Sequence, residues 1–163
     1  MAFLAGCTSD GTESGATTAG STTAANTSAT EAETTQRMIQ TDELDLREAN
    51  VMAVAFEKTG ETTYRFDVTL LHDDDGEDGY ANWWQVETLS GEQLGRRELL
   101  HAHGTQEFTR AASVEIPADV TRVVVRGHDQ THGYGGQAMV VDLDTGEIES
   151  IDQGSEPRDF SDD

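Results

Sequence analysis

The chain has little of four things: cysteine, lysine, positive charge and continuous apolar sequence. Its single cysteine, Cys7, allows no disulfide within the chain. No apolar run approaches the roughly 18 residues that a bilayer-spanning helix needs. Ten basic residues stand against 32 acidic ones, a formal net charge of −22 at pH 7, and Lys58 is the only lysine. Such a charge repels a phosphate backbone, so we expect no nucleic acid among the partners.

Sequence motifs of the common nucleophilic and zinc enzymes are also missing. The chain contains neither Gly-x-Ser-x-Gly nor His-Glu-x-x-His, and it offers no cysteine suited to catalysis. Carboxylates are too abundant for any one pair to stand out as a glycosidase site. The sequence therefore favours a protein that is not an enzyme, and it requires no cofactor.

The acidity has two explanations. A disordered chain is charged and poor in apolar residues, but here acidic residues are interleaved with regularly spaced apolar ones. That pattern favours a folded protein with a carboxylate-rich surface, as found in organisms that live in concentrated salt. High salt shortens the screening length to a few ångströms, which makes such a surface tolerable.

The N-terminus carries the segment Leu4-Ala5-Gly6-Cys7. It resembles the lipobox of bacterial and archaeal lipoproteins, and with the acidity it indicates a haloarchaeal-type lipoprotein. The resemblance implies that Cys7 carries a lipid, which anchors the protein to a membrane. A complete signal has a basic start and an apolar stretch of about 7–15 residues, so we interpret residues 1–7 as the remnant of a signal that begins upstream; the alternative is that the match is accidental.

Residues 8–36 consist almost entirely of Thr, Ser, Ala and Gly, with scattered acidic residues. They offer too little apolar surface to offset the entropy of ordering, so we predict a disordered tether. Asn26 begins an N-glycosylation sequon, which has meaning only in an exported chain. Tether and lipobox together predict a domain held at the outer face of the cell membrane.

Alternation of apolar and polar residues runs from about residue 48 to residue 144. Successive side chains of a strand point to opposite faces, so the pattern predicts strands that bury one face. About seven such strands, separated by glycine-containing turns, predict an all-β fold, a single antiparallel immunoglobulin-like sandwich, with a small barrel as the alternative. We assign this domain to residues 37–151 and expect an acidic disordered tail at residues 152–163.

The alternation also predicts which side chains enter the core. Met52, Val54 and Phe56 are expected to share the core face of the first strand. Trp84 is expected in the core. Trp83 then lies on the outer face, where it either stacks on a ligand or is covered by the tether.

Several short motifs between about residues 70 and 143 resemble a family of uncharacterised secreted bacterial and archaeal proteins. That family has a His-x-His, a Phe-Thr-Arg and a His-Gly-Tyr-Gly-Gly loop, and the resemblance implies secretion but no particular activity. In this chain Ala102 takes the place of the proline that usually separates the two histidines. The matching segments here are Tyr80-Ala81-Asn82-Trp83-Trp84, Leu94-Gly95-Arg96-Arg97, His101-Ala102-His103, Phe108-Thr109-Arg110 and the run from His128 to Gly136.

Four histidines are candidates for a metal site. His101 and His103 lie two apart at the end of the fourth predicted strand, which turns both imidazoles to one side. His128 and His132 bracket a later loop, so three or four imidazoles meet if both loops share one end of the sandwich. Imidazoles suit copper or zinc, and Asp129 would be a ligand or would orient one. The alternative is a polar, hydrogen-bonded loop cluster without metal.

The acidic run at residues 73–78 does not match the calcium-loop pattern, and we interpret it as a solvated hairpin loop. The leading functional interpretation is a non-enzymatic accessory or ligand-binding domain, with an unknown protein or small ligand as partner. Its predicted binding face includes Tyr134 and Arg110, which suits a carboxylate or sulfate group, or else pairs with a neighbouring strand. A copper- or zinc-binding protein is the second interpretation, and a metal-assisted hydrolase is a distant third.

Overall fold

The protein is described by a computed structural model that covers residues 44–74, 76–154 and 159–161. Cys7, Asn26 and the predicted tether lie outside these residues. Within them there is no helix with the length and hydropathy needed to cross a membrane. The described part of the chain forms nine strands: β1 (Asn50–Lys58), β2 (Thr63–Leu71), β3 (Ala81–Thr88), β4 (Gln93–Glu98), β5 (Phe108–Glu115), β6 (Arg122–Asp129), β7 (Gly133–Tyr134), β8 (Gln137–Asp142) and β9 (Ile148–Asp152).

The strands form two antiparallel sheets. The smaller sheet has the order β1-β2-β5, and the larger has the order β4-β3-β6-β8-β9, with the short β7 paired to β6. The chain changes sheet after β2, after β4 and again after β5, so β2 pairs with β5 and β3 with β6 across long sequence separations. This is the arrangement of an immunoglobulin-like sandwich, and the predicted all-β fold is confirmed. Two strands, β7 and β9, add to the seven expected.

The hydrophobic core lies between the two sheets. Trp84 of β3 is fully buried there, as predicted, and packs in one cluster with Phe66 from β2, Val125 from β6 and Met139 from β8. Burial of each such side chain contributes on the order of 1.5–3 kcal/mol. Alternation places Trp83 on the opposite face of β3, which is the outer face of the larger sheet.

Two details of the strand predictions are wrong. Val51 and Val54 enter the core, whereas Met52 is only half-buried, because the pairing of β1 with β2 shifts between Val51 and Ala53. An irregularity of this kind breaks the period of two. The fourth strand ends at Glu98 rather than at His101, since its partner β3 begins at Ala81 and the chain then leaves for the other sheet.

Part of the outer face of the larger sheet is buried and carries charge. Arg126 and Glu87 form an ion pair there, and their side chains are almost completely enclosed. Burial raises the pKa of Glu87, although the charge of Arg126 opposes the shift. Phe160, from the segment predicted as a tail, packs on a small apolar cluster beside this pair, and its N–H donates to the Leu89 carbonyl at 2.7 Å. The C-terminal segment therefore shields the ion pair from water.

We expect Gly127→Ala to lower the free energy of unfolding by about 3 kcal/mol, because the added methyl group has no space. A Cβ at Gly127 would lie 2.9 Å from the Ala49 Cβ and closer still to the Ala49 carbonyl oxygen. Gly91→Ala is the control: Gly91 has a positive φ of 87° but open space around it, so the substitution should cost about 1 kcal/mol. Denaturant unfolding at constant salt measures both, and equal stability of the two variants would contradict this packing.

Candidate functional site

Three loops and the segment before β1 meet at one end of the sandwich, which we call the loop pole. Antiparallel pairing brings them together, because Asn50 at the start of β1 pairs with Leu71 at the end of β2. The start of β3 likewise pairs with the end of β6, through Ala81 and Asp129. The loop pole comprises residues 44–49, 72–74, 76–80, 99–107 and 130–136.

Asp74 is the centre of a buried network at this pole. One carboxylate oxygen accepts hydrogen bonds from His72 Nδ1 at 2.5 Å and from the Ala81 N–H at 2.9 Å. The other accepts from the His103 N–H at 2.9 Å. This single carboxylate therefore links the loop after β2, the start of β3 and the loop after β4. The expectation that the whole acidic run is solvated is wrong for Asp74, which is buried.

His72 is the cationic partner of Asp74. Its Nε2 lies 2.8 Å from the Arg47 carbonyl oxygen, so both ring nitrogens face acceptors and both must donate. Burial by itself lowers the pKa of His72, but the hydrogen bond and charge of Asp74 outweigh burial and raise it above the ordinary 6.5. Burial would raise the pKa of Asp74, yet its hydrogen bonds from His72 and the backbone hold that pKa below the usual range. The pair is an ionised imidazolium–carboxylate contact.

Asp129 extends the network toward the third loop. Its Oδ1 accepts from the N–H groups of Thr131 at 2.8 Å and His132 at 2.6 Å, and lies 3.3 Å from His132 Nδ1. Its Oδ2 lies 4.0 Å from His72 Nε2 and has no hydrogen-bond partner among the described residues. Asp129 thus shapes the turn after β6 and adds negative charge beside His72. We call His72, Asp74, His103, Asp129 and His132 the acid–imidazole network.

The glycine-rich loop is shaped by close packing against the segment before β1. A Cβ at Gly135 would lie 2.7 Å from Glu48 Oε1, and one at Gly136 would lie 2.5 Å from Asn50 Oδ1. Asn50 Oδ1 also accepts from the Gln137 N–H at 2.9 Å. The two glycines therefore make room for these polar side chains.

His128 lies on the outer face of the larger sheet. Its ring stacks on Trp83 with centroids 4.2 Å apart, and Tyr134 meets it edge-on at 5.2 Å. Its Nδ1 lies 2.7 Å from Asn82 Oδ1, and burial lowers its pKa. The Arg96 guanidinium lies 3.9 Å from the centroid of the Trp83 ring. Trp83 is 7% exposed because these neighbouring side chains cover it, whereas the tether, the cover that the sequence suggested, lies outside the described residues.

His101, His103 and Arg110 line a shallow pocket of about 220 Å³ between the end of β4 and the start of β5. We call it the rim pocket. The two imidazole centroids are 5.1 Å apart, and His103 stacks flat on Phe108 at 3.9 Å. Burial, and after it the charge of Arg110, lower the pKa of His103. The ring of His103 is therefore neutral, whereas the ring of His72 is charged.

The four candidate metal ligands fall into three separate places. His101 and His103 line the rim pocket, His128 stacks on Trp83, and His132 lies against Asp129. The described residues contain no group of three or more His, Cys, Asp or Glu side chains placed to hold a metal ion. Copper or zinc binding therefore stays a prediction from the sequence.

Sequence reasoning overlooked His72, the fifth histidine. Its position two residues before Asp74, directly after a strand, was the available signal. Alternation alone could not indicate that His72 and Asp74 turn inward, because both follow the last residue of β2. Only the closure of the pole by residues 44–49 buries them.

Comparison with known proteins gives one relative to report. Over 123 residues the chain is 63% identical to a protein of the haloarchaeon Halomicrobium mukohataei whose name reads "Putative lipoprotein". The match covers 76% of this chain and 61% of that protein, so the chain spans about three fifths of its relative's length. No protein-family model and no solved structure matches the chain.

The raised pKa of His72 predicts a pH dependence of stability. A group whose pKa is higher folded than unfolded stabilises fully below its unfolded pKa, near 6.5, and loses that effect as pH rises through the folded value. The difference in free energy of unfolding between wild type and His72→Gln should therefore shrink with rising pH. The slope should not exceed about 1.4 kcal/mol per pH unit, the limit for one proton.

Denaturant unfolding at constant ionic strength measures this difference. Subtracting the free energy of unfolding of the variant at each pH cancels the contributions of His103 and His128 to the pH dependence. Those contributions have the opposite sign, because the pKa values of these two residues are lowered. His101→Gln is the matched control, because His101 is exposed and should leave the pH dependence unchanged. A difference that stays constant or grows with pH would show that His72 is not the charged partner of Asp74.

Proposed function

We propose that this chain is a lipid-anchored protein of a salt-adapted organism, displayed at the outer face of the cell membrane, and that its sandwich domain is a non-enzymatic binding module. The anchor is supported by the Leu4-Ala5-Gly6-Cys7 segment and by the Thr- and Ser-rich residues 8–36. The name of the haloarchaeal relative agrees with it. The net charge of −22 supports the inference that the protein is adapted to concentrated salt.

The loop pole is the proposed binding surface, and the rim pocket is the observation that carries this role. The chain has 32 acidic residues against 10 basic ones, yet two arginines and two histidines line this pocket. The acid–imidazole network lies directly behind it, because Asp74 binds the backbone N–H of His103. A buried charged network holds loops in a single arrangement, and a rigid loop surface loses little entropy when it binds a ligand.

The anchor predicts that Cys7→Ser releases the protein from the membrane. Expressed in a haloarchaeal host behind a complete lipoprotein signal, the wild-type chain should enter the detergent-rich phase on phase separation and lose its tag to protease added to intact cells. The variant should enter the aqueous phase, since its serine cannot form the thioether to the lipid. Ser9→Ala is the control and should behave as wild type. Membrane retention of Cys7→Ser equal to that of wild type would exclude this anchor.

The binding surface predicts contacts at one pole only. Because Cys7 is the sole cysteine, a substituted cysteine in a lipidated chain provides the only free thiol. Leu100→Cys at the loop pole and Glu61→Cys in the turn between β1 and β2, both at exposed positions, would each carry a photoreactive maleimide. Irradiation of cell envelopes should yield a defined mass increase for Leu100→Cys alone. Equal adducts at both positions, or none at either together with no small ligand bound by the purified domain, would contradict a binding role for the loop pole.

A further inference from the structure

The rim pocket has a lining that is chemically unlike the rest of the protein. It lies where β4 ends and the chain crosses to β5 in the other sheet. Among the described residues, Glu98 is the only acidic one that lines it, although acidic residues outnumber basic ones 32 to 10 in the whole chain. The lining residues are Arg97, Glu98, Leu99, Leu100, His101, His103 and Arg110.

Within the described residues, the two arginines of the pocket lack the acidic partner that Arg47 and Arg65 have: no carboxylate there lies within ion-pair distance of the Arg97 or Arg110 guanidinium. Arg110 donates to the neighbouring Thr109 carbonyl, at 2.8 Å. By contrast, Arg47 pairs with Asp45 at 2.5 Å and Arg65 with Asp67 at 3.0 Å. Two unpaired guanidinium groups at one concave surface favour binding of an anion.

His103 gives the pocket a buried polar wall. Its side chain is 5% exposed, it stacks on Phe108, and its Nδ1 has no hydrogen-bond partner among the described residues. Burial lowers the pKa of His103, so the ring is neutral at neutral pH and adds no charge to the pocket. A neutral imidazole contributes one hydrogen-bond donor and one acceptor. It therefore selects a ligand by its hydrogen-bonding groups and shape rather than by charge alone.

Leu100 gives the pocket an apolar edge. It is 80% exposed, and Leu46, at 40%, is the other large apolar side chain that is exposed in the described part of the chain. A ligand whose apolar portion covers Leu100 removes this surface from water at about 25 cal/mol per Å². High salt strengthens such burial when the ions are excluded from the protein surface.

We propose that the rim pocket binds the carboxylate group of a small organic acid, with Arg97 and Arg110 on the carboxylate and Leu100 against an apolar substituent of the ligand. The inference rests on the proposed binding role of the loop pole. A planar guanidinium donates two parallel hydrogen bonds to a carboxylate, a geometry that a spherical chloride ion cannot match. Concentrated salt screens simple charge attraction within a few ångströms, so selection there depends on directional hydrogen bonds and apolar contact.

Chemical-shift titration of the purified domain tests this proposal at constant, high potassium chloride. The probes are 4-methylpentanoate and benzoate, with acetate to remove the apolar portion and sulfate to change the anion. We expect both larger carboxylates to bind more tightly than acetate and sulfate to bind most weakly, with shifts centred on residues 97–103 and Arg110. Arg97→Gln and Arg110→Gln should each weaken carboxylate binding about tenfold, the effect of losing a hydrogen bond to a charged group.

Three further variants separate the contributions. Arg110→Lys keeps the charge and loses the guanidinium, so we expect it to weaken binding nearly as much as Arg110→Gln. Leu100→Ala should weaken binding of 4-methylpentanoate and leave acetate unchanged. Arg65→Gln removes one charge from an exposed pair on β2 and should bind as wild type. Thermal unfolding identifies any variant that fails to fold; if Arg110→Gln does, Arg97→Gln, at an exposed position, tests the guanidinium contact in its place.

The outcomes distinguish the possible failures. Sulfate binding as tight as carboxylate binding, or full retention by Arg110→Lys, would overturn the assignment to carboxylates. Absence of any shift with every probe would overturn the pocket as a small-acid site. If Leu100→Cys still forms its adduct on cell envelopes, the binding role of the loop pole stands and only the ligand class is wrong. If that adduct is also missing, both proposals fail.

Discussion

The loop pole depends on one ionised contact, between the His72 imidazolium and the Asp74 carboxylate. A buried charge is costly unless it is paired and its remaining hydrogen-bonding positions are filled. Here Asp74 meets that condition through the N–H groups of Ala81 and His103, and His72 meets it through the Arg47 carbonyl. Satisfying one ion pair therefore requires the segment before β1, the start of β3 and the loop after β4 to adopt a single arrangement. That arrangement determines the shape of the rim pocket.

The network also gives neighbouring histidines different protonation states. His72 faces acceptors at both nitrogens, so its pKa is raised despite burial. His103 binds Asp74 mainly through its backbone N–H, and burial together with Arg110 lowers the pKa of its ring. A charged imidazole thus supports the loops from inside, while a neutral one lines the pocket. Position relative to one carboxylate accounts for the difference between two chemically identical side chains.

Charge on this protein is organised in two ways. The surface carries a large excess of carboxylates, which concentrated salt screens. In the described part of the chain two buried pairs carry charge: His72 with Asp74 at the loop pole, beside the buried Asp129, and Arg126 with Glu87 on the outer face, where Phe160 covers the pair. Salt weakens exposed interactions far more than buried ones, so both enclosed pairs remain effective in concentrated salt. By contrast, Arg97 and Arg110 at the rim pocket have no acidic partner among the described residues, and this supports the binding of an anionic ligand.

The sequence by itself determined the fold class, the core position of Trp84 and the outer position of Trp83, because alternation along a strand is a local property that the pleat converts directly into faces. It also indicated that His101, His103 and Arg110 belong together. Prediction from the local pattern of residues failed where segments that are distant in the chain meet in the fold. The irregularity at Met52 lies in the pairing of β1 with the neighbouring β2, whereas the burial of His72 and Asp74 and the dispersal of His128 and His132 follow from pairings between segments far apart in the chain. Those pairings depend on which edges and loops the whole sandwich brings into contact, so only the tertiary structure decided them.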